Sequence, residues 1–138
     1  MLTLKVLIAG AISGVAANVT GYLITGRLFH HYQSNTPATW RTVESWTHYQ
    51  YAAAIRIAAC VGIAILYSVV RPSLPGGADP LTGLSFGLIL WAVAILPVVL
   101  EAALFVNWHR GFVIGLLLDW LVVCLLAGES AAVAIGAV

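Results

Sequence analysis

Residues 81–106 read LTGLSFGLILWAVAILPVVLEAALFV, an almost unbroken apolar run with a single charge, Glu101. The hydrocarbon core of a bilayer is about 30 Å thick and is crossed by about 20 apolar residues in a helix. Three further runs have the same character. Residues 6–26 carry no charge until Arg27; residues 50–70 are apolar except for Arg56 and a polar start. Residues 111–128 are interrupted only by Asp119, and an apolar tail follows Glu129. None alternates polar and apolar residues as a membrane barrel strand does. Helices satisfy every backbone group within one segment, which is what a medium without water demands. The expected fold class is therefore an all-α integral membrane protein. It would be one membrane domain over residues 1–138, a four-transmembrane-helix bundle with spans of about 4–26, 47–70, 81–106 and 111–136.

Composition agrees. Of 138 residues, 62% are hydrophobic and 8% charged, against about 25% charged in an ordinary soluble domain. Eleven charged side chains cannot solvate a globular surface of this size, whereas lipid-facing positions need none. A net charge of +1 with no Lys/Arg run excludes nucleic acid as a partner on electrostatic grounds. Cys60 and Cys124 both lie in apolar runs with no Cys or His at metal-ligand spacing, so they read as small buried hydrophobes. In composition, with Gly- and Ala-rich spans and a Trp-rich first loop, the chain is similar to small bacterial membrane proteins. The expected location is a bacterial-type plasma or inner membrane.

The connections are distinct. The first run has the lysine, apolar stretch and small residues (Val15-Ala16-Ala17) of a secretory signal. It continues to Gly26, however, and reads as a span. The first loop (27–45) is long and aromatic, and Thr36-Pro37 is a helix start signal. A short interfacial helix is expected from Thr36 to Trp46. The second loop, RPSLPGGADP at 71–80, is a Pro/Gly breaker; the third, 107–110, is a tight hairpin. Loops one and three share a membrane face and carry Arg27, Arg41 and Arg110, against Lys5 and Arg71 opposite. That balance puts them on the cytoplasmic side.

Each span holds one prominent polar residue: Asn18, Arg56, Glu101 and Asp119. Counted along the helix axis from the face of loops one and three, all four fall about 12–14 Å deep. An unpaired charge at that depth costs at least about 2.5–3.5 kcal/mol. Mutual compensation follows, with Arg56 between Glu101 and Asp119 and Asn18 adding hydrogen bonds. Such a layer either specifies helix register as a buried ion-pair network or forms a proton or cation site. Small residues suggest which faces meet. Gly10, Gly14, Asn18 and Tyr22 form one stripe containing a GxxxG motif, and Gly111, Gly115 and Asp119 form another. The two stripes are expected to pack together. Pro97, one turn before Glu101, leaves the Val93 carbonyl without its helical donor and predicts a kink.

All four histidines map to the face of loops one and three: His30, His31 and His48 around loop one, His109 in loop three, with Glu44 nearby. They are candidate ligands for zinc, copper or haem iron, although no HxxxH or CxxC spacing is present. Phe29, Tyr32, Trp40, Trp46, Tyr49, Tyr51 and Trp108 crowd the same face, as an interfacial anchor or a grip on a partner would.

No nucleophile–base pair, phosphate loop or HExxH motif occurs, so no enzyme activity is expected. The leading expectation is an accessory or assembly subunit of a larger membrane complex, or a homo-oligomer. Its partners would be the lipid bilayer and other membrane subunits or copies of itself, and lipid would be its bound cofactor. The alternatives are a small proton- or cation-coupled transporter or channel using the Arg/Glu/Asp layer, and a membrane metal or haem protein.

Overall fold

The computed structural model describes residues 4–32, 45–76 and 79–136. It contains four long helices: α1 (Leu4–Leu28), α2 (Trp46–Ser73), α3 (Pro80–Phe105) and α4 (Arg110–Gly136). Each is long and apolar enough to cross a membrane, and no strand occurs among the described residues. The expected interfacial helix at 36–46 falls mostly outside the described residues. Ser45 is extended and Trp46 already belongs to the first turn of α2.

α4 is the hub. It packs against α1, α2 and α3, whereas α3 packs mainly on α4, with Phe86 also making an edge-to-face contact with Tyr67 of α2. The central window of α4 is 44% buried and that of α3 only 6%, so α3 presents most of its surface outward. Contacts such as Gly14 on Ile57 and Gly10 on Val61 show α1 and α2 antiparallel, as Gly83 on Gly128 and Gly87 on Cys124 show for α3 and α4. Two small buried clusters fill the interior. Val6, Ala64, Tyr67, Ala131 and Ala132 form one; Ala17, Cys60, Val123 and Ala127 form the other. Cys60 and Cys124 are free thiols and fully buried.

The glycine stripe of α1 does enter a helix–helix contact, but its mate is α2 rather than the expected fourth span. A Cβ on Gly10 or Gly14 would lie 2.7 Å from the Cα of Val61 or Ile57. Tyr22, at the far end of the stripe, is exposed. Gly111 and Gly115 of α4 lie under the rings of Tyr32 and Phe29, which fold back over them from the end of the first span. A closer crossing was not singled out from sequence. Gly83 and Gly87 of α3 sit against the backbone of Gly128 and Cys124, with no room for a side chain.

Two helices widen into π turns. The last turns of α1 (Ile24–Leu28) do so, with the Phe29 N–H reaching the Ile24 carbonyl. In α3 the π turn is Trp91–Ile95, ending two residues before Pro97. Proline cannot donate to the Val93 carbonyl and its ring crowds it. The extra residue in the turn relieves that crowding, so the expected kink is realised as a local widening.

A candidate functional site: the buried arginine–aspartate clamp

Arg56 enters the bundle ten residues after the start of α2, and Asp119 nine after the start of α4. At 1.5 Å per residue both lie about 14 Å from the shared end. Their side chains meet in a two-pronged pair: Nη1 donates to Oδ1 at 2.6 Å and Nη2 to Oδ2 at 2.7 Å. The second Nη1 proton goes to the Ala17 carbonyl of α1 at 2.9 Å. Thr25, on the π turn of α1, gives its hydroxyl proton mainly to the Gly21 carbonyl at 2.8 Å, with a long approach to Asp119 Oδ2 at 3.4 Å. The Trp120 ring lies 5.9 Å from the guanidinium carbon. One charged group from α2 therefore ties α1 and α4 together. Parallel N–H···O bonds to a carboxylate are among the strongest side-chain contacts available, because both partners are charged and planar.

Gly21 makes the clamp possible. A Cβ there would lie 2.7 Å from the Arg56 guanidinium carbon and 3.0 Å from Asp119 Oδ1. Sequence reading missed this residue, because it lies off the Gly10–Gly14–Asn18 stripe and its role depends on a side chain arriving from α2.

The pair is asymmetrically placed. Asp119 is sealed at 1% exposure, while Arg56 keeps 18%. The exposed edge of Arg56 forms the floor of a groove of about 460 Å³ between α1 and α2, which also takes in Asn18, Tyr22, Thr25, Trp46 and Gln50. Asn18 lies at the same level but is not bonded to the pair. Its amide donates to the Gly14 carbonyl at 2.9 Å and, more weakly, to the Ala53 carbonyl at 3.4 Å, pinning α1 to α2.

Glu101 does not join the layer. It is exposed, and it makes no hydrogen bond or ion pair with the described residues. Two features account for this. The hairpin Val106–His109 is not helical, so Glu101 stands four residues from the end of α3, about 6 Å deep, instead of eight. It also lies two residues from buried Val99, and so on roughly the opposite side of the helix from the face that meets α4. Pro97 is exposed on the same outer surface. In its place a neutral donor approaches the hub: the Trp91 indole N–H, on the π turn of α3, bonds the Leu117 carbonyl at 2.9 Å.

The histidines are dispersed. His48 Nδ1 accepts from the Ser45 N–H at 3.2 Å and so caps α2. His109 Nδ1 accepts from the Gly111 N–H at 3.1 Å, where α4 has an unused backbone donor. Tyr32 stacks on His109 at 4.6 Å and lies 3.8 Å from His31, while His30 is exposed. Glu44 lies outside the described residues. Among the described residues no three His, Cys, Asp or Glu side chains gather where they could hold a metal ion.

The clamp is a closed unit: one cation and one anion, with the carboxylate sealed. Its geometry can lock three helices in register. Compared with known protein families, curated proteins and solved structures, the chain matches none.

Proposed function

We propose that this chain is an integral membrane subunit that assembles with other membrane proteins or with copies of itself, and that α3 is the assembling face. The observation that carries the reading is Glu101. It stands on a helix whose outward positions include Val93, Val98, Leu100 and Leu104, all exposed, and it has no partner within the described residues. A carboxylate on a lipid-facing surface is costly, by up to a few kcal/mol depending on depth. A neighbouring subunit offering a cation or hydrogen-bond donor would offset that cost. The internal clamp supports the same reading, since it holds α1, α2 and α4 as a rigid platform and leaves α3 to meet a partner.

The test is extraction in a mild detergent followed by native mass spectrometry and cross-linking in intact membranes. The expected species is heavier than the 14.6 kDa chain, and Glu101→Ala should shift it toward the monomer without lowering its melting temperature. A wild-type chain that stays monomeric in membranes under cross-linking refutes the proposal.

The groove above Arg56 favours a second reading, a small proton- or cation-coupled transporter, because it brings a charged group at mid-depth to an opening of about 460 Å³. Ion flux in liposomes containing this chain alone would select it over the assembly role.

A further inference from the structure

At the opposite end of the bundle a second groove, of about 490 Å³, runs between α1 and α4. Its walls are apolar, with Ile8, Ile12 and Val133, and its polar lining consists of Lys5, Glu129 and Ser130. Two features there are left over from the packing of the fold. Lys5 and Glu129 share the groove with opposite charges, yet neither forms an ion pair with the other or with any described residue. Ser130 is the other. The hydroxyls of Ser13, Thr20, Thr25, Ser68 and Ser85 all donate to a carbonyl one turn back in their own helix. Ser130, which lines the groove, makes no hydrogen bond among the described residues. The groove thus offers a cation, an anion and a hydroxyl beside a greasy channel, with no net charge.

We infer that this groove binds a single phospholipid whose headgroup is a net-neutral zwitterion with a primary ammonium, the phosphatidylethanolamine class. The reading rests on the chain being membrane-embedded. Lys5 and Ser130 take the phosphate oxygens, Glu129 accepts hydrogen bonds from the ammonium, and an acyl chain runs inward from there along Ile8 and Ile12. Position agrees with this. α4 has 27 residues, a rise of about 40 Å, some 10 Å more than a hydrocarbon core. Lys5, in the first turn of α1, stands at the membrane edge, where headgroups lie. A choline headgroup carries a cation but no N–H to donate to Glu129. A glycerol headgroup leaves the lipid anionic and Glu129 without a cation.

The experiment uses the full chain, purified in mild detergent, stripped of lipid and offered POPE, POPC and POPG at equal concentration, with retained lipid counted by native mass spectrometry. Wild type should retain POPE several-fold over the other two. Glu129→Gln should lower POPE to the level of POPC, and Lys5→Gln should reduce retention of all three. Ile12→Trp, at a position 64% exposed and on the groove wall, should block retention by filling the channel; it tests the site independently if a charge variant folds poorly. Equal retention of the three lipids by wild type, or a POPE preference that survives Glu129→Gln, overturns the inference. A preference for POPG overturns the ammonium assignment. Alkaline carbonate extraction separates the two readings. A chain released from membranes refutes membrane embedding itself, whereas an embedded chain without lipid preference refutes only this site.

Discussion

Removing Asp119 is the most direct test of the clamp. Asp119→Ala leaves the Arg56 guanidinium with one neutral acceptor, the Ala17 carbonyl, in place of a two-pronged carboxylate. Breaking a buried ion pair from one side typically costs about 3–5 kcal/mol, because the other charge remains buried and unpaired. Arg56 keeps a bond to Ala17 and an edge on the groove, so the lower end applies, about 3 kcal/mol, or roughly a hundredfold in the folded-to-unfolded ratio. Arg56→Met should cost more, toward 5 kcal/mol, because it strands Asp119 at 1% exposure with only the long Thr25 contact. The double change Arg56→Met with Asp119→Leu removes both charges and replaces them with apolar volume, so it should fall within about 1–2 kcal/mol of wild type. The assay is a reversible unfolding titration in mixed micelles, run on all four proteins as a double-mutant cycle. An Asp119→Ala protein as stable as wild type refutes the claim that the clamp holds α1, α2 and α4 together. A double variant as weak as the sum of its parents refutes the pairing.

Three further outcomes follow from the packing. Gly21→Val should cost about 1–3 kcal/mol or more by overpacking, since its side chain would occupy the guanidinium site. Gly62→Val, where nothing lies within 4 Å, should change stability by less than about 0.5 kcal/mol; the same unfolding titration compares them. Gly87→Leu should separate α3 from α4, because the glycine abuts the Cys124 backbone. Cysteine cross-linking between the two helices should then fall sharply while α1 and α2 stay linked. His109→Ala should lose the cap on α4 and about 0.5–2 kcal/mol, whereas His30→Ala, at an exposed ring, should be silent in the same melting assay.

The candidate site was half legible. Arg56 and Asp119 could be matched from sequence because each lies in an uninterrupted helix starting near the shared end, where axial rise is uniform. Glu101 could not. Counting from His109 assumes that the hairpin is helical, and the π turn before Pro97 adds a residue that rotates everything after it. Gly21, Thr25 and Trp91 were invisible for a related reason: each matters through a group on another helix. Gly10 and Gly14 lie against α2, and Gly111 and Gly115 under the rings of Tyr32 and Phe29, not against one another, because a stripe of small residues does not say what approaches it.

Sequence alone determined the number of long apolar helices and their approximate ends, since helix length and apolarity are properties of a single segment read against the thickness of a bilayer. It also determined that buried charges must find partners, because the cost of leaving them unpaired belongs to the charge itself. Tertiary structure decided the rest: that α4 is the hub, that α1 closes on α2, that Tyr32 and Phe29 cap the α4 glycines, and that Glu101 faces outward. These are rotations and pairings of whole helices. Their energies come from backbone approach and dispersion summed along a seam between two segments, so no single segment's sequence carries them.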